Sequence, residues 1–415
     1  MITPARAIVL ILSPIIFHVI TFRSDEVVSL LLQMTASGLN QIGGASIVAS
    51  PPAVMYQIFV CFASLFYAVW GGTSTRRSSL ALALFAVTLG TLKQCVDGDH
   101  FLPSYSRDAL LASGRNMEGK TVLVTGGNSG VGFATASTMY ALGAEVVIAC
   151  RSESRCNAAV SKIKAEHGSN RSGSITPATL DLSSFKSVDD FTPPVQIDYL
   201  FLNAGFATPP ARSLTVDGYE TGLQTMHFSH FHLTQGLLAS GGLSGGSRVV
   251  ATSSAASQFG NFDRSLFEDK EGEGDLRGEV TKATNPMMMY GRAKLANLLY
   301  MKELYKRYES SGLTTCSCHI GAVATSIWDM PEIVSFLQPL VDWYVSKTMR
   351  TLEEGSRILL RCALDRKEVV GEGNYLDGMG FVRDSKWMSD NSKDDKLAKR
   401  LWEVSEIVVD KHVGE

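Results

Sequence analysis

The sequence has no CxxC pair, no run of like charge and no internal repeat. Its seven cysteines are an odd number, scattered at 61, 95, 150, 156, 316, 318 and 362. This argues against a zinc ribbon or a disulfide framework, and the thiols are expected to be reduced packing residues. Net charge is only −3 and the pI is near 6.3, so no global field favours nucleic acid. Without a repeat, a solenoid or propeller is also excluded.

Apolar residues are abundant and unevenly spread. Residues 7–22 are apolar apart from Ser13, His18 and Thr21. Residues 53–70 carry no charge, with Gln57 and Ser64 the clearly polar members, while residues 80–92 form a shorter run after Arg76-Arg77. A helix needs about 20 residues to span hydrocarbon, and 53–70 meets the lower range. Residues 1–96 are therefore expected to be an apolar helical region attached to a membrane, of the endoplasmic reticulum or another organelle. The first run also reads as a cleavable targeting segment. A polar connector, 97–119, follows.

From Lys120 onward, short β-branched runs alternate with helical patterns. Strands are expected at 121–125, 145–150, 175–180, 197–202, 248–253 and 314–320, with a helix at 132–142. This alternation predicts an α/β fold, a Rossmann-type doubly wound parallel sheet, over 120–415. The acidic stretch 263–279 reads as a solvated loop.

Two signals carry chemistry. The first, Thr125-Gly126-Gly127-Asn128-Ser129-Gly130-Val131-Gly132, follows a strand and opens a helix. In that context glycines let the backbone approach a pyrophosphate at a helix N-terminus. The next strand ends in Cys150-Arg151-Ser152, with no carboxylate before Glu153. Arg151, assisted by Arg155, suits a ribose 2′-phosphate, so NADP(H) is expected over NAD(H). The second signal is Tyr290-Gly291-Arg292-Ala293-Lys294. On a helix Tyr290 and Lys294 share a face. The ammonium, with an oxidised nicotinamide, is expected to lower the phenol pKa from about 10.

These elements, with Asp181-Leu182, Asn203-Ala204-Gly205, Ser253-Ser254 and the C-terminal Leu401-Trp402-Glu403-Val404-Ser405-Glu406, resemble the short-chain dehydrogenase/reductase family. The resemblance is to its group of retinol dehydrogenases and the WW-domain oxidoreductase, and covers residues 116–409. It implies that Tyr290 is the acid/base, that Ser254 polarises the substrate carbonyl, and that Lys294 binds the nicotinamide ribose and tunes Tyr290. The implied cofactor-binding residues are Thr125, Gly126, Asn128, Ser129, Gly130, Val131, Gly132, Arg151, Arg155, Asp181, Leu182, Asn203, Ala204, Gly205, Tyr290, Lys294, Val323 and Thr325. Two departures stand out: Met226 occupies the place of a relay asparagine, and Ile320-Gly321 replaces Pro-Gly. His227, His230 and His232 share a helical stretch with no nearby carboxylate or cysteine, so they are expected to be satisfied helix residues, not metal ligands.

The segment after Gly321, with Ile327, Trp328, Phe336, Trp343 and Tyr344, is strongly apolar; the resemblance implies a substrate cover, and ordinary core or contact with a bilayer surface reads equally well. The expected activity is therefore interconversion of an apolar alcohol and its carbonyl, such as a retinoid, sterol or lipid-like compound. The alternative is a catalytically weak NADP(H)-binding scaffold or subunit of a membrane assembly. Expected partners are the small substrate and the lipid membrane, without nucleic acid; a homodimer is left open.

Overall fold

Strand residues alternate between two buried faces, as the two-residue period of an extended chain requires. Leu123, Leu200, Leu202, Val249 and Ala251 enter one core. Val122, Val124, Phe201 and Val250 enter the other. The computed structural model describes residues 102–413 except 169–171, 194–195, 207–213, 263–285, 325–348, 379 and 383–387. One compact unit, His100–Asp329 with Thr351–Glu415, carries the sheet. The apolar runs before residue 97, the 263–279 stretch, Thr325 and the apolar segment from Ile327 to Tyr344 lie outside the described residues. No described helix is long and apolar enough to cross a membrane.

The elements alternate as β1 (Thr121–Thr125), α1 (Gly130–Ala141), β2 (Glu145–Cys150), α2 (Glu153–His167), β3 (Ser174–Thr179), α3 (Phe185–Asp189) and β4 (Tyr199–Leu202). A helical stretch follows, here α4, in which a π turn (Gln224–Phe228) joins Thr221–Leu223 to Ser229–Ala239. Then come β5 (Arg248–Ser253), α5 (Pro286–Tyr308), β6 (Thr314–His319), α6 (Leu352–Leu364), β7 (Glu372–Leu376) and α7 (Asp395–Val413). All seven strands are parallel, in the order β3-β2-β1-β4-β5-β6-β7. The chain thus runs outward from β1 in both directions, and the crevice where the order reverses lies beyond the C-terminal ends of β1 and β4. Strand β7 and the π turn were not expected, and α1 begins two residues before the expected 132.

One expectation is corrected. Cys150, the last residue of β2, is joined to Cys156 of α2 by a disulfide. The cysteines are therefore not all reduced; the α2 turn brings the two sulfurs together in a way that sequence spacing alone does not reveal. Cys316, Cys318 and Cys362 are buried thiols.

Candidate active site

The turn after β1 is shaped by close approaches. Gly126 takes a left-handed φ of +66°, and a Cβ there would lie 2.9 Å from the Ala204 Cα. A Cβ on Gly132 would lie 2.4 Å from Asn203 Nδ2 and 2.5 Å from the Gly126 carbonyl oxygen. Thr125 Oγ1 accepts the amides of Asn203 (3.0 Å) and Ala204 (3.1 Å), and Asn203 Nδ2 donates to the Thr125 carbonyl (3.1 Å). Thr252 in turn donates to Asn203 Oδ1 at 3.2 Å. The ends of β1, β4 and β5 are so tied into one edge, with the N-terminus of α1 behind the turn. Val131 and Val323 belong to the same buried cluster.

Arg151 and Arg155 are exposed on either side of Ser152, which caps α2. The disulfide closes the loop containing both arginines. Asp181 Oδ1 accepts from the amide (2.9 Å) and hydroxyl (2.6 Å) of Ser183, which fixes the carboxylate at the end of β3. Leu182 is buried, and its carbonyl accepts the Ser229 hydroxyl at 2.7 Å.

Ser254, Tyr290 and Lys294 are brought together. Ser254 follows β5, and its Oγ accepts the Ala256 amide at 3.2 Å. The Tyr290 and Ser254 side chains are hydrogen-bonded. One helical turn on, Lys294 Nζ lies 5.7 Å from the Tyr290 ring centroid and donates to the Thr252 carbonyl at 2.9 Å. Backbone contact permits this arrangement: a Cβ on Gly291 would lie 2.6 Å from the Ala256 carbonyl oxygen, and one on Gly260 would lie 2.4 Å from that of Gly291. Ser253 also donates to the Lys294 carbonyl at 2.7 Å, so the first serine anchors α5 and the second faces the phenol. Asn297, unnoticed in the sequence, donates to the same Thr252 carbonyl at 3.1 Å.

Burial dominates the electrostatics. It pushes the Tyr290 phenol above its usual range, opposed by the Ser254 hydrogen bond. It lowers the Lys294 ammonium to about 8. In the chain by itself burial sets the direction, against the lowering expected from Lys294 together with an oxidised nicotinamide. Met226 is fully buried, and a Cβ on Gly205 would lie 3.0 Å from its Sδ and 3.3 Å from Lys294 Nζ. The histidines have protein partners: His227 Nε2 meets Ser405 Oγ at 2.8 Å, His230 meets Thr125 and Met226, and His232 Nε2 meets Asp189 at 2.6 Å.

Residues 120–267 match the family model described as short chain dehydrogenase. The chain is 33% identical over 302 residues to the WW domain-containing oxidoreductase of Drosophila melanogaster, covering 71% of this chain and 70% of that one. It is 33% identical over 294 residues to human retinol dehydrogenase 12, covering 70% and 86% respectively. A crystal structure of an uncharacterized protein from Mycobacterium paratuberculosis superposes with a TM-score of 0.54 at 27% identity, covering 72% of this chain and 97% of that one. With the family model matched from the first strand through the fifth, and relatives 33% identical over about seven tenths of the chain, the chain belongs to the short-chain dehydrogenase family of oxidoreductases.

Proposed function

We propose that the chain is an NADP(H)-dependent oxidoreductase that interconverts an apolar alcohol and its carbonyl, carried on a membrane-attached N-terminal region. The observation that carries this reading is the convergence of Ser254, Tyr290 and Lys294 beside the glycine turn. The turn fits a dinucleotide, since its glycines let β1, α1 and the Asn203-Ala204 segment pack against one another at the sheet edge, and the α1 N-terminus favours phosphate. Thr125 to Gly132, Asp181, Asn203 to Gly205 and Val323 would hold the cofactor, with Arg151 and Arg155 on the 2′-phosphate. When bound, the nicotinamide would supply or accept the hydride.

The protein's own part is proton transfer and positioning. Ser254 Oγ accepts from Ala256 and its hydroxyl proton points to the Tyr290 phenol, so a substrate oxygen entering beside the two hydroxyls would take that proton's hydrogen bond in the phenol's place. Tyr290 would give its proton to that oxygen in reduction and take it back in oxidation. Lys294, held by Thr252, would stabilise the phenolate and grip ribose hydroxyls. Phe259 and Met288, both about half exposed, follow Ser254 and precede Tyr290 closely in the chain, which supports an apolar substrate. The uncharged run 53–70 supports membrane attachment.

A second reading rests on Met226. A thioether cannot donate a hydrogen bond, so a member with little turnover would serve as an NADP(H)-binding scaffold. Oxidation of NADPH and NADH with a panel of apolar aldehydes and ketones separates the two. The enzyme reading expects NADPH-preferring turnover, reduced on the order of 10²- to 10⁴-fold in Tyr290→Phe. Equal rates for wild type and Tyr290→Phe across the panel, with NADPH still bound, would favour the scaffold.

A further inference from the structure

His230 lies in α4 just after the π turn, fully buried, one turn beyond Met226. Its Nδ1 is 3.0 Å from the Met226 carbonyl oxygen and its Nε2 is 2.9 Å from Thr125 Oγ1. A carbonyl only accepts, so the ring proton sits on Nδ1. Nε2 is then the acceptor, and the Thr125 hydroxyl is its donor. The Phe201 carbonyl is a longer alternative for that proton, at 3.2 Å. Thr125 Oγ1 turns its lone pairs to the Asn203 and Ala204 amides. A single line of hydrogen bonds therefore runs from the Met226 carbonyl through the imidazole and the Thr125 hydroxyl to the Asn203-Ala204 backbone.

That line joins two parts of the machinery of the proposed reaction. Thr125 begins the glycine turn. Met226 belongs to the π turn, and its side chain shares with Lys294 Nζ the space beside Gly205. We infer that His230, as the neutral Nδ1–H tautomer, is a positioning residue that holds the cofactor turn in register with the surroundings of Lys294. This role rests on the oxidoreductase reading above. Burial supports the neutral state, holding the imidazole down at about 4, and the nearby Lys294 charge acts in the same direction. The ring thereby holds the Met226 main chain at the place where the family's asparagine side chain is missing. His227, three residues earlier, has the opposite arrangement: Ser405 donates to the Leu401 carbonyl at 2.7 Å, so His227 Nε2 carries the proton.

Full-length protein tests this in two ways. In wild type, nitrogen NMR of the histidine rings is expected to show one buried ring protonated on Nδ1 and another on Nε2. His230→Phe, which keeps the bulk and removes both nitrogens, identifies the first. In steady-state assays His230→Phe is expected to lower kcat about 10- to 100-fold, with a much smaller change in substrate KM and in NADPH Kd. His230→Asn keeps a donor near Nδ1 and His230→Gln keeps an acceptor near Nε2; each is expected to recover part of the loss. A His230 ring protonated on Nε2, or a folded His230→Phe with wild-type kcat, would overturn the role. If His230→Phe fails to fold, the ring assignment and the Asn and Gln variants decide. Wild type that neither binds NADPH nor turns over any panel compound would overturn the oxidoreductase reading itself, an outcome distinct from active wild type and an indifferent His230→Phe.

Discussion

A single methyl group probes the glycine turn. Gly132→Ala forces a Cβ to within 2.5 Å of both Asn203 Nδ2 and the Gly126 carbonyl oxygen, atoms held by strand ends. Unfolding free energy is expected to fall about 1–3 kcal/mol in a denaturant titration, together with weaker NADPH binding. Arg151→Ala, which removes an exposed guanidinium, is expected to weaken NADPH about tenfold while leaving NADH nearly unchanged; equal effects on both cofactors would remove Arg151 from the 2′-phosphate. Ser254, Tyr290 and Lys294 were legible as a group through the family resemblance that their order along the chain supports, and the fold brings the three side chains together. His230 was not legible as a link, since its partner Thr125 is 105 residues away in sequence and only the sheet edge brings them together. The direction of the Tyr290 shift was likewise hidden, because burial is a property of the packed chain.

Strands with β-branched runs were readable nearly to the residue, as at Thr121–Thr125 and Arg248–Ser253. Strand β7, Glu-Gly-Asn-Tyr-Leu, carries no such run and is a strand through its parallel pairing with β6. Nor does sequence announce a π turn, in which the backbone departs from the regular α ladder without a proline or glycine at its centre. The Cys150–Cys156 bridge is a third feature of this scale, closing the β2–α2 junction. Peptide mapping without reductant is expected to recover those two cysteines linked. Replacing both with serine is expected to cost about 2 kcal/mol by the chain-entropy relation for so short a loop, read from thermal or chemical unfolding.

Two buried histidines link the stability of the folded chain to pH. Burial depresses His227 to about 3 and His230 to about 4, below the usual value near 6.5. Between about pH 6.5 and 4 the unfolded chain therefore binds protons that the folded chain refuses. Stability is expected to be full above pH 6.5 and to fall on acidification through that window, by about 1.4 kcal/mol per pH unit for each ring. Unfolding curves collected across pH check this, and a flat profile between 6.5 and 4.5 would contradict buried neutral rings. At the same scale, residues 53–70 predict that the full chain resists carbonate extraction from membranes, whereas a chain starting at residue 97 is released.

Helix α7 has one more consequence. Trp402 packs on Tyr300 of α5 with ring centroids 5.7 Å apart, Arg307 lies 4.4 Å from the Trp402 ring centroid, and Asp395 pairs with Lys302 and Lys306. Helix α7 therefore covers one side of the helix that bears Tyr290 and Lys294. A stop codon ahead of Trp402 would strip that side of its cover and leave a nascent product for chaperones and proteases to remove.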